Sequence, residues 1–224
     1  MEQAATFALK KLMPRVWRGP CRLATPAALV ATCVAFVVTQ SWIAWVLGAK
    51  LSADVLQLQT SFHVDSFVDV IRDWSDDEHA RFVKHFAVDF ALHPLFCTLL
   101  LISWLFNEVR LRAIERHAHS APRLQSCCSA TFGCCGCDAL YDSGCALMGW
   151  VLLIVAGGGA DVVENALHLG LTQRIPGLTA PTTPIVAAAS AFACAKWAIA
   201  LGSVAALTAA FLERRCCRLR AKQD

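Results

Sequence analysis

Asp89 and His93, then Asp161, Glu164 and His168, then Lys196 are ionisable side chains set inside long apolar runs of this chain. A charge taken into hydrocarbon is costly unless it finds a partner, so these residues should turn towards one another inside a helix bundle. Carboxylates and imidazoles so placed can bind and relay protons, serve as general acid and base, or line a pocket for a small polar or amphiphilic ligand. Their spacing supports a shared interior. Asp161, Glu164 and His168 stand at i, i+3 and i+7 and line one stripe of a helix, and Asp89 and His93 stand at i and i+4. Asn165, beside that stripe, can donate and accept across a helix contact.

The elements that would carry these residues follow from composition. Of the 224 residues, 57% are hydrophobic, and the mean hydropathy of +0.51 is high for a surface in water. A spanning helix needs roughly 20 mostly apolar residues, and four segments meet that length, at about 26–48, 86–106, 145–171 and 184–212. The expected fold is all-α: a polytopic membrane protein with a four-transmembrane-helix bundle over 26–213, a basic segment before it (1–25) and a basic tail after it (214–224). Alternating ten-residue segments are absent, which argues against a membrane barrel.

Charge distribution orients the spans. Lys10, Lys11, Arg15, Arg18 and Arg22 precede the first, Arg110, Arg112, Arg116 and Arg123 lie between the second and third, and Arg214, Arg215, Arg218, Arg220 and Lys222 follow the fourth. The positive-inside rule puts all three groups, and both termini, on the cytosolic side. The loop after the first span is acidic, with Asp54, Asp65, Asp69, Asp73, Asp76, Asp77 and Glu78, as an outer loop allows. In the first 25 residues Phe7, Leu9, Leu12, Val16 and Trp17 give a partly amphipathic, basic pattern. It fits a flank that orients the first helix, and an organelle-targeting presequence is the alternative. Trp42 and Trp45 suit the outer interface.

Between spans one and two, Phe62, Val64, Phe67, Val68, Ile71 and Trp74 recur at near-helical spacing. They predict an amphipathic helix lying on the membrane or over the bundle mouth. Ser75 with Asp76, Asp77 and Glu78 signals a helix start, and a continuous helix from there into the second span is expected.

Depth sharpens the cluster, taking ~1.5 Å of rise per residue from the outer end of each span. Asp89 and His93 fall about 5 and 10 Å deep, His168, Glu164 and Asp161 about 5, 10 and 15 Å, and Lys196 about 16–18 Å. Asp89 should then meet His168, His93 meet Glu164, and Asp161 meet Lys196. Gly157, Gly158 and Gly159, and the run Ala187, Ala188, Ala189, Ser190, Ala191, Ala193, Cys194 and Ala195, permit close helix approach. The three glycines could instead break the third helix and turn backbone groups to the cluster, as in transporters. Pro94 would free a carbonyl and kink the second helix.

The inner loop 107–144 lacks apolar periodicity and is rich in cysteine: Cys127, Cys128, Cys134, Cys135 and Cys137. Adjacent pairs lack the two-residue gaps of structural zinc sites. Acylation suits thiols beside a membrane, with Cys216 and Cys217 the strongest candidates, and free thiols without a role are the alternative. Disulfides rank last in a reducing compartment.

In Asp89-Phe90 followed by Pro94, in Ala160-Asp161-Val162-Val163-Glu164-Asn165 and in Ala195-Lys196-Trp197, the chain resembles a family of small, mostly bacterial four-pass membrane proteins of uncharacterised activity. The similarity covers roughly 60–205 and leaves out the cysteine-rich loop. It implies the four-pass fold and supports the choice of Asp89, Asp161, Glu164, Asn165 and Lys196, and it brings no reaction with it.

Three functional classes stay open. The first is a binding or transport protein for protons or a small polar or amphiphilic ligand, which at this size would need to form a homo-oligomer to act as a carrier. The second is a lipid-modifying enzyme with Glu164 or Asp161 as acid or base and His93 or His168 as partner. The third is a scaffold in which the charges fix helix packing. The spacings lack the several histidine-rich boxes of membrane di-iron oxygenases, so no metal and no cofactor is assigned. Nucleic-acid binding finds no support, because the basic residues hug span ends where anionic lipid headgroups account for them.

Overall fold

A computed structural model describes residues 23–120, 144–173 and 183–220 of the chain. Among the described residues there are six helices and no strand: α1 Pro26–Gln59, α2 Val64–Ile71, α3 Asp76–Asp89, α4 Leu92–Ser120, α5 Gly144–Thr172 and α6 Thr183–Arg220. Four stretches are long and apolar enough to cross a membrane: Pro26–Gln59, Leu92–Arg112, Leu147–Thr172 and Thr183–Cys216. Their outward faces carry exposed Val30, Val34, Val37 and Val38 on α1, Leu152 and Leu153 on α5 and Leu201 on α6. Acyl chains, unlike water, solvate such faces without penalty. The basic N-terminal segment with its targeting alternative, the cysteine-rich residues 127–137, Arg123 and Lys222 lie outside the described residues.

Helix starts and stops follow local chemistry. Thr25 caps α1 by accepting from the Ala28 amide at 3.1 Å, and Pro26 occupies the first helical position, where its missing N–H costs nothing. The helical path of α1 breaks at Gly48, whose φ of 70° and ψ of 176° fall in a region open only to glycine. Arg81 of α3 caps that break, donating from Nε to the Val46 carbonyl and from Nη2 to the Leu47 carbonyl, each at 2.7 Å. Apolar helix thus ends at Gly48, as its sequence requires, and a further helical segment runs on to Gln59. A Cβ on Gly48 would lie 2.7 Å from Arg81 Nη2. Gly48→Ala is therefore expected to cost about 2 kcal/mol, read by unfolding in detergent, and a variant as stable as the parent would refute the strained turn.

α3 opens with the predicted capping box, in which Ser75 Oγ accepts from the Glu78 amide and Glu78 Oε2 accepts from the Ser75 amide. Lys50 Nζ donates to Glu78 Oε1 at 2.6 Å and, with the Ser75 amide, holds that carboxyl down at about 2.

The expected continuous helix into the second span does not form. α3 ends at Asp89 and α4 begins at Leu92, with Phe90 and Ala91 as a turn between them. Pro94 gives the reason, because its ring has no N–H for the carbonyl four residues back, at Phe90, and clashes with it. α4 then runs on to Ser120, through a stretch expected to be loop, and α6 continues to Arg220. Alternating helix-forming Leu, Arg, Glu and Ala residues carry both extensions past the apolar limit.

The described residues divide into two compact units, 23–31 with 101–120, 144–150 and 205–220 in one, and 32–100 with 151–173 and 183–204 in the other. The second has a core of Ile43, Leu47, Leu51 and Leu58 from α1, Val64, Phe67 and Ile71 from α2, Trp74, Phe82 and Phe86 from α3, Leu171 from α5, and Val186 and Ala189 from α6. The amphipathic element foreseen over 62–74 is the shorter helix α2, and its apolar stripe of Val64, Phe67 and Ile71 packs into this core. Phe62 and Trp74 fall outside the helix α2, and Trp74 is buried, donating from Nε1 to Asp54 Oδ2 at 2.8 Å.

In the first unit, Glu108 and Arg214 are both buried, with Arg214 Nε 3.0 Å from Glu108 Oε1. Arg112 reaches the same carboxylate at 3.3 Å, Glu213 at 2.8 Å and the Ala210 carbonyl at 2.9 Å. Arg110 donates to the Ala24 carbonyl. These arginines, expected to face lipid headgroups, are held instead by protein acceptors, because the helices carrying them extend far enough to pack.

Candidate functional site

The ionisable residues singled out in the sequence lie together in the second unit. α5 presents Asp161, Glu164 and His168 on one stripe, and the Lys196 ammonium from α6 reaches two of them, at 2.6 Å from Asp161 Oδ1 and 2.6 Å from Glu164 Oε2. One lysine bridges an i, i+3 pair because those side chains project from the same face one turn apart. His168 Nδ1 stands 3.4 Å from Glu164 Oε1, and its ring stacks on Phe67 of α2 with centroids 5.9 Å apart. Glu164 is wholly buried, and Asn165, His168 and Asp161 are buried with it.

Asp89 and His93 form the other arm. Asp89 Oδ1 lies 3.3 Å from His93 Nδ1, and Oδ2 lies 3.6 Å from Nε2 of His85. His85 is buried, its Nδ1 faces the Phe82 carbonyl, and its ring packs against Phe86. It is a member of the cluster that sequence reasoning missed. Its signal was present, since His85, Asp89 and His93 repeat every four residues, but the expected span began one residue after it.

The turn at Phe90 and Ala91 is part of the site. The last carbonyls of a helix have no acceptor role left inside it, and Asn165 Nδ2 donates to the Asp89 carbonyl at 2.7 Å. Asn165 thereby ties the end of α3 to α5. Ligand atoms of Asp89, His93 and Asp161 all fall within 4.8 Å of one another, which joins the two arms into one cluster.

Of the three cross-helix pairs predicted from depth, only Asp161 with Lys196 is formed. Asp89 is engaged by His85 and His93 rather than His168, and Glu164 by Lys196 and His168 rather than His93. Partners four residues apart on one chain segment are near neighbours however the helices rotate, whereas equal depth on two helices brings side chains together only if both faces turn inward.

Close packing, not a helix break, is what the small residues provide. α5 is uninterrupted through Gly157, Gly158 and Gly159. A Cβ on Gly157 would stand 2.9 Å from Ile199 Cγ2, and one on Gly158 would stand 2.3 Å from Thr98 Oγ1. On α6, Val186, Ala189, Ser190 and Ala193 face inward, and Ser190 Oγ donates to the Ser61 carbonyl at 2.7 Å, while Ala191, Cys194 and Ala195 face outward. Gly158→Ala is expected to destabilise by about 1–3 kcal/mol through overpacking, whereas Gly159→Ala, with nothing within 4 Å, should be neutral or gain up to ~1 kcal/mol. Thermal unfolding of the two variants side by side decides it.

Cys216 is an exposed thiol on α6, and Cys33, Cys97 and Cys194 are likewise free. Compared with protein-family models, with curated proteins and with solved structures, the chain matches none. The physical reading of the cluster therefore carries the functional argument.

Proposed function

We propose that this is a four-pass integral membrane protein, with both termini cytosolic, whose intramembrane chamber binds a small cationic or polar ligand, protons included, as part of binding or transport across the bilayer. The observation that carries this reading is an excess of acidic groups over fixed cations in a buried place. Asp89, Asp161 and Glu164 contribute three carboxyl groups against the one ammonium of Lys196, with the imidazoles of His85, His93 and His168 beside them as further groups able to hold a proton. In a low-dielectric interior such a set approaches neutrality by taking up protons or a cation.

Basic residues at the ends of the spans support the orientation. Lipid is the partner this reading implies, and acylation of the exposed Cys216, and of Cys217 after it, would anchor the α6 tail to the membrane surface. A homo-oligomer is the assembly that would give so small a chain a transport path.

The test uses purified protein in mild detergent and in liposomes. Native mass spectrometry should show a retained small ligand, or flux assays should show proton movement under an imposed potential, and Asp161→Asn should reduce whichever is seen by at least about tenfold. Ligand content and flux unchanged in both Asp161→Asn and Lys196→Met would reject the reading.

A further inference from the structure

We propose that Asp89, His93 and Asp161 form a binding site for a divalent first-row transition cation of the zinc or manganese class. The inference rests on the chamber reading above and names the ligand that would balance its charge. The geometry is the first support. One imidazole nitrogen and two carboxylate oxygens, each from a different residue, lie within 4.8 Å of one another, and Asp89 Oδ1 is already 3.3 Å from His93 Nδ1. Bonds of ~2.0–2.2 Å to one ion put its ligand atoms roughly 3–4 Å apart, so side-chain rotations of under about 1 Å close the set.

The second support is independent of that spacing. Both ring nitrogens of His93 are buried, and while Nδ1 has the 3.3 Å approach to Asp89 Oδ1, Nε2 has no hydrogen-bond partner. An imidazole nitrogen left unmatched away from water is costly. Coordination would satisfy one of the two nitrogens. Phe36 packs on the same ring, with centroids 5.3 Å apart, and limits how it can turn.

The surroundings have the form of an outer shell. His85 Nε2 faces the far oxygen of Asp89, Asn165 holds the Asp89 backbone carbonyl, and Lys196 holds Asp161 through Oδ1. Such contacts orient ligating carboxylates and raise affinity for the ion. The donor set also selects. Calcium takes six to eight oxygens, which three side chains with one imidazole do not supply, and the absence of thiolate among them disfavours soft ions. A borderline divalent ion with water completing its shell matches the mixture. The turn at Phe90 and Ala91, imposed by Pro94, is what sets Asp89 and His93 at the mouth of α4 facing Asp161.

The experiment takes the full-length protein in mild detergent, treated with chelator, and titrates it with Co2+ followed by its visible absorption, then with Zn2+ as competitor. The expected result is one Co2+ per chain, displaced by Zn2+. Asp89→Asn, which keeps the shape of the side chain, and His93→Ala should each weaken binding by more than about 100-fold, beyond the ~10–100-fold that loss of an outer-shell contact costs. His63→Ala, at an exposed histidine outside the chamber, should bind as the parent does. No stoichiometric Co2+ binding by the parent, or binding that survives in both chamber variants, or loss of binding in His63→Ala, overturns the proposal. If Asp161→Asn still alters ligand content or flux while the parent binds no metal, the metal site alone is rejected. If neither response is seen, the chamber reading fails with it.

Discussion

Lys196→Met is expected to destabilise the protein by about 3–5 kcal/mol, the range observed when one member of a buried ion pair is removed. The ammonium is 2.6 Å from both Asp161 and Glu164, so its loss leaves two buried carboxylates one helical turn apart with no counter-charge. Removing Asp161 as well will not repair the damage, because Glu164 keeps a buried charge whose remaining neighbour is His168 at 3.4 Å. Recovery should appear only in the triple variant Lys196→Met, Asp161→Leu and Glu164→Met, where apolar side chains of similar volume replace the whole set. Unfolding by denaturant in detergent measures the series. Full recovery in the double variant would show that Glu164 is no partner of Lys196. The triple variant also separates staple from function: if the charges only fix packing, a stable triple retains the wild-type ligand content and flux, and if they form a binding chamber, it is stable and inert.

Arg214→Met should cost about 3 kcal/mol, near the lower end of the same range. Glu108, buried at 4% exposure, would keep only Arg112 at 3.3 Å in place of the 3.0 Å contact from Arg214. Adding Glu108→Leu should restore most of the stability, since the pair is then replaced by apolar contact rather than broken. A single variant as stable as the parent would mean that Arg214 is solvated by lipid headgroups, as the residues flanking the last span first imply. The same comparison tests whether the basic tail orients the protein by charge alone or also by packing.

Much of the site was legible one helix at a time. The i, i+3, i+7 stripe of Asp161, Glu164 and His168 and the i, i+4 pair of Asp89 and His93 need nothing beyond the pitch of a helix, and all of these residues fall in one cluster with Lys196. What failed was pairing across helices. Equal depth matched Asp89 with His168 and His93 with Glu164, while the chain joins Asp89 to His85 and His93, and Glu164 to His168 and Lys196. Rotation of each helix about its own axis decides such contacts, and side-chain periodicity fixes only which residues share a face. His85 was missed because a span boundary drawn from hydropathy cut a four-residue repeat. Pro94 was noticed as a kink, but its effect is a turn that ends one helix and starts another, and beside that turn Asn165 holds the Asp89 carbonyl, a contact that no local pattern announces.

By itself the sequence determined the class of the fold. Four apolar runs of spanning length are ones whose backbone only helices can satisfy in hydrocarbon, and the capping box at Ser75 marks where another helix begins. Tertiary structure alone decided which charges meet. It placed one lysine between two acids, brought a histidine and two aspartates within 4.8 Å of one another, and turned Arg214 inward to Glu108. Those outcomes depend on the tilt, rotation and extension of whole helices, which are set by how their surfaces pack.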